Sequence, residues 1–142
     1  MGGQIALQGA AYYPELQAVW ADGPAVIRAS DNPPPTNWAT GIAVLSNYVI
    51  DGMYIWRFNL KPPAPLTEII GTIAPRPIML VGGGTPHPNF GSESMRVEHL
   101  ARFAGKNAQV WIIPEAYHCD GPVQRPAEYA ARLVGFFDAA FK

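Results

Sequence analysis

The sequence predicts an α/β fold with three layers, in which a parallel sheet carries helices on both faces. Three short apolar runs, each closed by glycine or proline, alternate with longer segments whose apolar residues recur at helical spacing. Continuous apolar runs are typical of parallel strands that are buried on both faces. Hydrophobic residues make up 49% of the 142 residues and charged residues 15%, a balance that fits one domain around a buried sheet.

Local patterns set the order of these elements. Glycine and proline clusters close the apolar runs, and charged residues lie on the outer faces of the helical segments. In chain order we predict a helix over 1–12, a strand over 16–22, a helical turn over 67–72, a strand over 78–81, a helix over 92–104, a strand over 108–113 and a helix that begins at Pro126.

A long excursion between the first two strands is the least regular part of the chain. Proline-rich breaks at 32–35 and 61–65 enclose an apolar, aromatic block over 38–58. This pattern predicts a cap-like insertion over about 30–66, and we interpret the block as a lid or a core segment. We expect no membrane span, because polar residues interrupt the block before it reaches about 18 uninterrupted apolar residues.

Charge and cysteine content exclude several classes of protein. The net charge is −1, with 10 basic against 11 acidic residues and no run of lysine or arginine, so we expect no nucleic-acid partner. The single cysteine excludes an internal disulfide framework. The first residues lack the basic and apolar regions of a signal peptide. Localisation stays open, with a soluble cytoplasmic protein as the default expectation.

Three polar loops follow the predicted strands, at 22–24, 82–93 and 114–121. Ligands of open α/β sheets bind beyond the carboxyl ends of the strands, so these loops are where a site is expected. The third loop reads Pro-Glu-Ala-Tyr-His-Cys-Asp-Gly and places His118 among small and turn-forming residues. His118 is therefore the leading candidate for a functional residue, with a hydrogen-bonded structural histidine as the alternative.

This order of segments resembles the C-terminal half of an α/β-hydrolase. The stretch IAPRPIMLVGGG is similar to the penultimate strand of that fold, and the third loop with its terminal helix resembles the histidine loop. The segment MGGQIALQGAAYYPELQAVWADGP resembles the helix and strand that follow the nucleophile elbow, G-x-S-x-G. The resemblance covers nearly the whole chain and implies that residues 1–142 form a partial α/β-hydrolase domain.

The resemblance implies serine-dependent hydrolysis of a carboxylic ester or a related acyl substrate. His118 would be the general base. Glu93 would be the acid or would cap the following helix, and Asp22 is the fallback acid or a turn residue. No G-x-S-x-G occurs in the sequence; the serine would sit immediately before Met1, whose backbone N–H would belong to the oxyanion hole. We therefore expect negligible esterase activity from this chain alone.

The reaction implied by this resemblance needs no cofactor and no metal. A zinc site built from Cys119 and the histidines lacks compact ligand spacing, and we interpret Cys119 as a buried, inert thiol. We expect a small acyl substrate to contact His87, which is otherwise a surface-loop residue. The cap residues Trp38, Tyr54 and Trp56 would line an acyl pocket or serve packing.

A second hypothesis is a non-catalytic binding or dimerisation module built on a truncated hydrolase fold. The first strand would expose an unpaired edge, which invites self-association into a homodimer. We reject a nucleotide-binding half-domain. The glycines at 82–84 follow a strand, but the sequence has neither G-x-G-x-x-G nor a P-loop.

Overall fold

The computed structural model describes residues 2–86 and 93–142. The predicted helices and strands are present, and two helices that were not predicted occur over Trp38–Phe58 and Gly121–Gln124. In chain order the elements are α1 (Gly2–Tyr12), β1 (Val19–Asp22), a 3-10 turn (Ala29–Asp31), α2 (Trp38–Phe58), α3 (Leu66–Ile69), a 3-10 turn (Ile70–Ile73), β2 (Ile78–Gly83), α4 (Glu93–Ala104), a 3-10 turn (Gly105–Asn107), β3 (Ala108–Ile113), α5 (Gly121–Gln124) and α6 (Pro126–Ala140).

The three strands form one parallel sheet in the order β1-β2-β3. Val19 pairs with Ile78, and Ile78 pairs with Ala108, so the strands start level and end at one rim. Every residue of the central strand β2 is buried, which explains its continuous apolar sequence. The predicted α/β class with a parallel sheet is confirmed.

Helices cover both faces of this sheet. On one face, Leu80 of β2 belongs to a buried cluster with Leu7 of α1 and Leu100 of α4. On the other face, Val81 belongs to a second cluster with Phe136 of α6. The resulting three layers leave the carboxyl ends of the strands as the open rim where a site is expected.

Strand β1 is shorter than the predicted strand over 16–22. Leu16 lies in a turn instead, because its N–H donates to the carbonyl oxygen of Tyr13 at 3.1 Å. The carbonyl oxygen of Leu16 accepts from Nη1 of Arg76 at 2.9 Å. These bonds occupy the backbone groups of Leu16, and the strand begins at Val19.

One buried carboxylate joins the two ends of the segment that was predicted to form a cap, which is called the cap below. Asp31 is fully buried, and its Oδ2 accepts from the N–H groups of Ile27 and Arg28 at 3.1 and 3.0 Å. Its Oδ1 accepts from the N–H and the hydroxyl of Thr67 at 3.0 and 3.1 Å. Because Ile27 and Arg28 precede the excursion and Thr67 follows it, Asp31 joins the two ends of the cap.

Helix α2 lies outside the hydrophobic core. None of its 21 residues is buried, so the interpretation of 38–58 as a core segment is wrong and the lid interpretation remains. Asp51 ties the helix to the domain by accepting from Nε of Arg28 and from the N–H of Ala29, both at 2.9 Å. Among the described residues, no helix has the length and apolar character needed to cross a membrane.

Candidate active site

Glycines at the ends of two strands allow the loop after β3 to approach the rim. Gly23 follows β1 with a φ of +55°, and a Cβ at this position would lie 2.7 Å from the ring of His118. A Cβ at Gly83, the last residue of β2, would lie 2.5 Å from the carbonyl oxygens of Ala116 and Tyr117. Neither position has room for a side chain, so these glycines permit the close approach of His118.

Glu93 is the first residue of α4, and its carboxylate is held at the rim from two sides. Its Oε2 accepts from the N–H of Gly83 at 2.6 Å, and its Oε1 lies 2.5 Å from Nδ1 of His118. The residue is only 8% exposed, and each of its oxygens has a partner. A carboxylate in the first turn of a helix is also favoured by the helix dipole. Glu93 can therefore begin helix α4 and also serve as the acid of the site.

The hydrogen bond to Glu93 sets the protonation pattern of His118. Where the carboxylate of Glu93 accepts in this hydrogen bond, Nδ1 of the neutral imidazole is the donor and the lone pair is on Nε2. The His118 side chain is 55% exposed, against 9% for that of Glu93. The imidazole is thus fixed at one nitrogen and can accept a proton at the other from a group that approaches the rim. The catalytic roles of His118 and Glu93 stay predictions.

Cys119 is exposed, so its interpretation as a buried thiol is wrong. Its φ of +56° brings Sγ to 3.5 Å from Nε2 and 3.8 Å from Nδ1 of His118. These nearly equal distances place the sulfur beside the ring, not in line with the lone pair of Nε2. Partial burial of the thiol, followed by the negative charges of Asp22 and Glu93, raises the pKa of Cys119. This environment disfavours a nucleophilic thiolate.

Asp22 ends β1 and bonds to helix α6. Its Oδ2 accepts from the hydroxyl of Tyr129 at 2.7 Å, and that hydroxyl accepts from Nε1 of Trp20 at 3.0 Å. Burial raises the pKa of Asp22 despite the bond from Tyr129, and the charge of Glu93 acts in the same direction. The carboxylate that contacts His118 is therefore that of Glu93, while Asp22 is bonded to Tyr129.

Five further residues were predicted at the site. Met1, expected in the oxyanion hole, and His87, expected to contact substrate, lie outside the described residues. Trp38, Tyr54 and Trp56 lie on α2, each with more than half of its surface exposed. Their contact with an acyl substrate stays a prediction. Within the described ranges, no group of three or more histidine, cysteine, aspartate or glutamate residues could hold a metal ion.

The chain is similar in structure to a known esterase. No protein-family model and no curated protein sequence matches the chain. An esterase of Pyrococcus furiosus has a similar structure, with a TM-score of 0.62 and 15% sequence identity over 96% of this chain and 50% of the esterase. The chain thus spans half the length of that esterase. At this identity the likeness concerns the fold alone: the chain has an α/β fold similar to that of half of this esterase.

Proposed function

We propose that this chain supplies the histidine and the acid of a serine-dependent acyl hydrolase, whose substrate is a carboxylic ester or a related acyl compound. The observation that carries the proposal is the contact of 2.5 Å between Nδ1 of His118 and Oε1 of Glu93, with Glu93 itself held by the N–H of Gly83. A carboxylate in this position keeps an imidazole in one tautomer and stabilises the imidazolium that forms during acyl transfer.

The proposal takes the nucleophile from outside residues 1–142, because the sequence contains no G-x-S-x-G. Its position is supported by two close approaches. A Cβ at Gly3, in the first turn of α1, would lie 2.8 Å from the carbonyl oxygen of Asp22, and a Cβ at Gly23, the residue after Asp22, would lie 2.7 Å from the ring of His118. A strand-to-helix turn ahead of residue 1 would therefore reach the rim close to Nε2 of His118.

The proposed reaction follows from the free lone pair of Nε2. His118 accepts the serine proton as Oγ bonds to the acyl carbon, and it then protonates the alcohol that leaves. A water molecule next gives its proton to Nε2 as it attacks the acyl-serine, and that proton returns to the serine oxygen when the carboxylic acid departs. Glu93 accepts from Nδ1 throughout.

We assign the acyl pocket to Trp38, Tyr54 and Trp56 of the cap and to His87. The aromatic composition of α2 and the place of the cap between β1 and β2 in the chain support this assignment. Tyr54→Ala is expected to raise KM for long acyl esters more than for acetate esters. An equal change for both would remove Tyr54 from the pocket.

The decisive test is the coding sequence ahead of Met1. We expect an in-frame G-x-S whose serine directly precedes Met1, and hydrolysis of p-nitrophenyl esters by the polypeptide that contains it. In that polypeptide His118→Ala should abolish turnover. Glu93→Gln should lower kcat by roughly 10,000-fold, the scale reported for converting the orienting carboxylate of such a triad to an amide. Glu98→Gln, an exposed position of the same helix, is the matched control and should leave kcat unchanged.

A second measurement uses the 142-residue chain itself. Nitrogen NMR of His118 should report the tautomer protonated at Nδ1, and Glu93→Gln should shift the ring toward a mixture of tautomers. Protonation at Nε2 in the unaltered chain would contradict the proposed base. A stop codon directly ahead of Met1 would instead favour the non-catalytic binding module.

A further inference from the structure

Helix α2 carries an apolar stripe on the face opposite its tether. At about 100° per residue, the members of the stripe fall within an arc of roughly 80°, and Asp51 lies roughly 160° from the centre of that arc. Between 55% and 83% of each member is exposed. The residues of this α2 stripe are Trp38, Ile42, Leu45, Val49, Met53 and Trp56.

The spacing of the α2 stripe is that of a helix–helix seam. Its members follow one another at intervals of four or three residues, close to the 3.5-residue repeat with which paired helices interlock. The only charged residues of α2 are Asp51 and Arg57, and Asp51 already bonds to Arg28. Gly52 lies beside the stripe, where a Cβ would meet nothing within 4 Å. A second helix can therefore approach without obstruction.

The exposed area of the α2 stripe is sufficient for a stable contact. Trp38 and Trp56 are 80% and 83% exposed. At about 150–250 Å² per aromatic side chain, the two tryptophans expose about 250–400 Å². If the four aliphatic members add about as much, the stripe approaches the ~800 Å² that each partner contributes to a standard interface. Isolated exposed apolar residues are ordinary, but a contiguous patch of this size marks an interaction site.

We propose that the α2 stripe is the interface of a homodimer in which α2 helices of two copies pack antiparallel. An uncharged stripe with seam spacing is complementary to itself, and a two-fold contact is closed, so it does not propagate into a filament. In the antiparallel arrangement the helix dipoles oppose each other favourably. Full overlap sets Leu45 against Val49 of the other copy and Trp38 against its Trp56. This contact differs from the β1-edge association expected from the sequence.

The proposed dimer does not involve His118 or Glu93, so it is independent of the proposed catalytic step. It competes with the proposed acyl pocket for Trp38 and Trp56: in the dimer both lie in the interface, and of the three cap aromatics only Tyr54, roughly 140° from the stripe centre, stays available to the pocket. Loss of dimerisation and loss of esterase activity are therefore separate outcomes, measured on different variants.

Sedimentation velocity of the 142-residue chain tests the proposal, and the expected species has twice the 15.4 kDa of one chain. Leu45→Lys/Val49→Lys should weaken the dimer by at least about 100-fold, because each charge enters the apolar seam twice. The matched control is Ile50→Lys/Tyr54→Lys, which has the same spacing and is 49% and 55% exposed but lies off the stripe. This control should remain dimeric. Circular dichroism should show an unchanged fold in both variants.

A cross-linking experiment tests the orientation. In a Cys119→Ala background, Trp38→Cys/Trp56→Cys should form disulfides between copies on oxidation by air, and Trp38→Cys alone should not. If the unaltered chain is a monomer, the proposal is wrong. If that monomer also floats with phosphatidylcholine vesicles, the α2 stripe binds a membrane surface instead. A dimer that persists in Leu45→Lys/Val49→Lys would also overturn it and would direct attention to the β1 edge.

Discussion

Removing the Asp31 carboxylate is expected to open the base of the cap. Asp31→Ala leaves the N–H groups of Ile27, Arg28 and Thr67 without their acceptor. A buried donor that loses its partner costs about 1–3 kcal/mol. Three such donors at the lower part of that range give about 3–5 kcal/mol. Because domains are stable by only about 5–15 kcal/mol, the variant should lose a large part of its free energy of unfolding.

A graded series separates the carboxylate from its neighbours. Thr67→Ala removes one hydroxyl bond and leaves the backbone donors in place, so it should cost about 1 kcal/mol. Asp31→Asn should fall between the two, since its amide turns an NH₂ group toward donors that need an acceptor. Asp138→Ala changes an exposed aspartate of α6 and should stay within about 0.5 kcal/mol of the unaltered chain.

Urea unfolding followed by circular dichroism measures this series. The denaturant slope should stay constant across the variants, so that midpoint shifts report stability. If Asp31→Ala costs no more than Thr67→Ala, the carboxylate does not hold the two ends of the cap together, and the reasoning from its four hydrogen bonds is wrong.

Three further predictions concern the rim and the tether. Gly83→Ala would place a Cβ 2.5 Å from two carbonyl oxygens and should cost about 1–3 kcal/mol in urea unfolding. Gly135→Ala, with nothing within 4 Å of its Cβ, should stabilise α6 by about 1 kcal/mol. Burial raises the pKa of Asp22 above its ordinary value of 3.8. The free energy of unfolding should therefore fall as the pH rises from 3.8 through the higher pKa of the folded state. Asp22→Asn should flatten this part of a plot of the thermal-unfolding midpoint against pH. Partial burial opposes ionisation of Asp51, but hydrogen bonds from the Ala29 N–H and from Arg28 outweigh it and lower the pKa of this carboxyl group. The stabilising contribution of the tether is therefore complete above pH 3.8 and is lost as the pH falls through the pKa of the folded state. Asp51→Asn should therefore speed hydrogen exchange of α2 amides at neutral pH, and unchanged exchange would remove the tether role.

Features that depend on neighbouring residues could be predicted from the sequence. Strand β2 stands between proline and glycine clusters, and the apolar spacing of α4 ends at Gly105, so both elements follow from local chemistry. The proximity of Glu93 and His118 follows from one further rule, that consecutive parallel strands end at the same rim. The rule predicts that both residues lie at the same edge of the sheet, but it does not predict the hydrogen bond between them.

Features that depend on distant partners could not be predicted. Asp31 occurs in an ordinary turn sequence, and its burial depends on Thr67, which lies 36 residues away. Asp22 accepts a hydrogen bond from Tyr129, which lies 107 residues away. The local sequence around Asp22 therefore does not show whether it is a turn residue or a hydrogen-bonded carboxylate. The exposure of Cys119 depends on a φ of +56°, a conformation that a non-glycine residue rarely adopts.

The position of the apolar block over 38–58 depends on which sheet faces are already covered. Amino-acid composition alone does not distinguish a core helix from a lid or from a helix at an interface. In this fold α1 and α4 cover one face of the sheet and α6 covers the other, with Leu80 and Val81 buried on opposite sides. Helix α2 therefore finds no central apolar surface to pack on, and Asp51 holds it at the periphery. Its 21 residues without a buried member remain an apolar surface in water, and this cost is the physical reason to expect a partner for the α2 stripe.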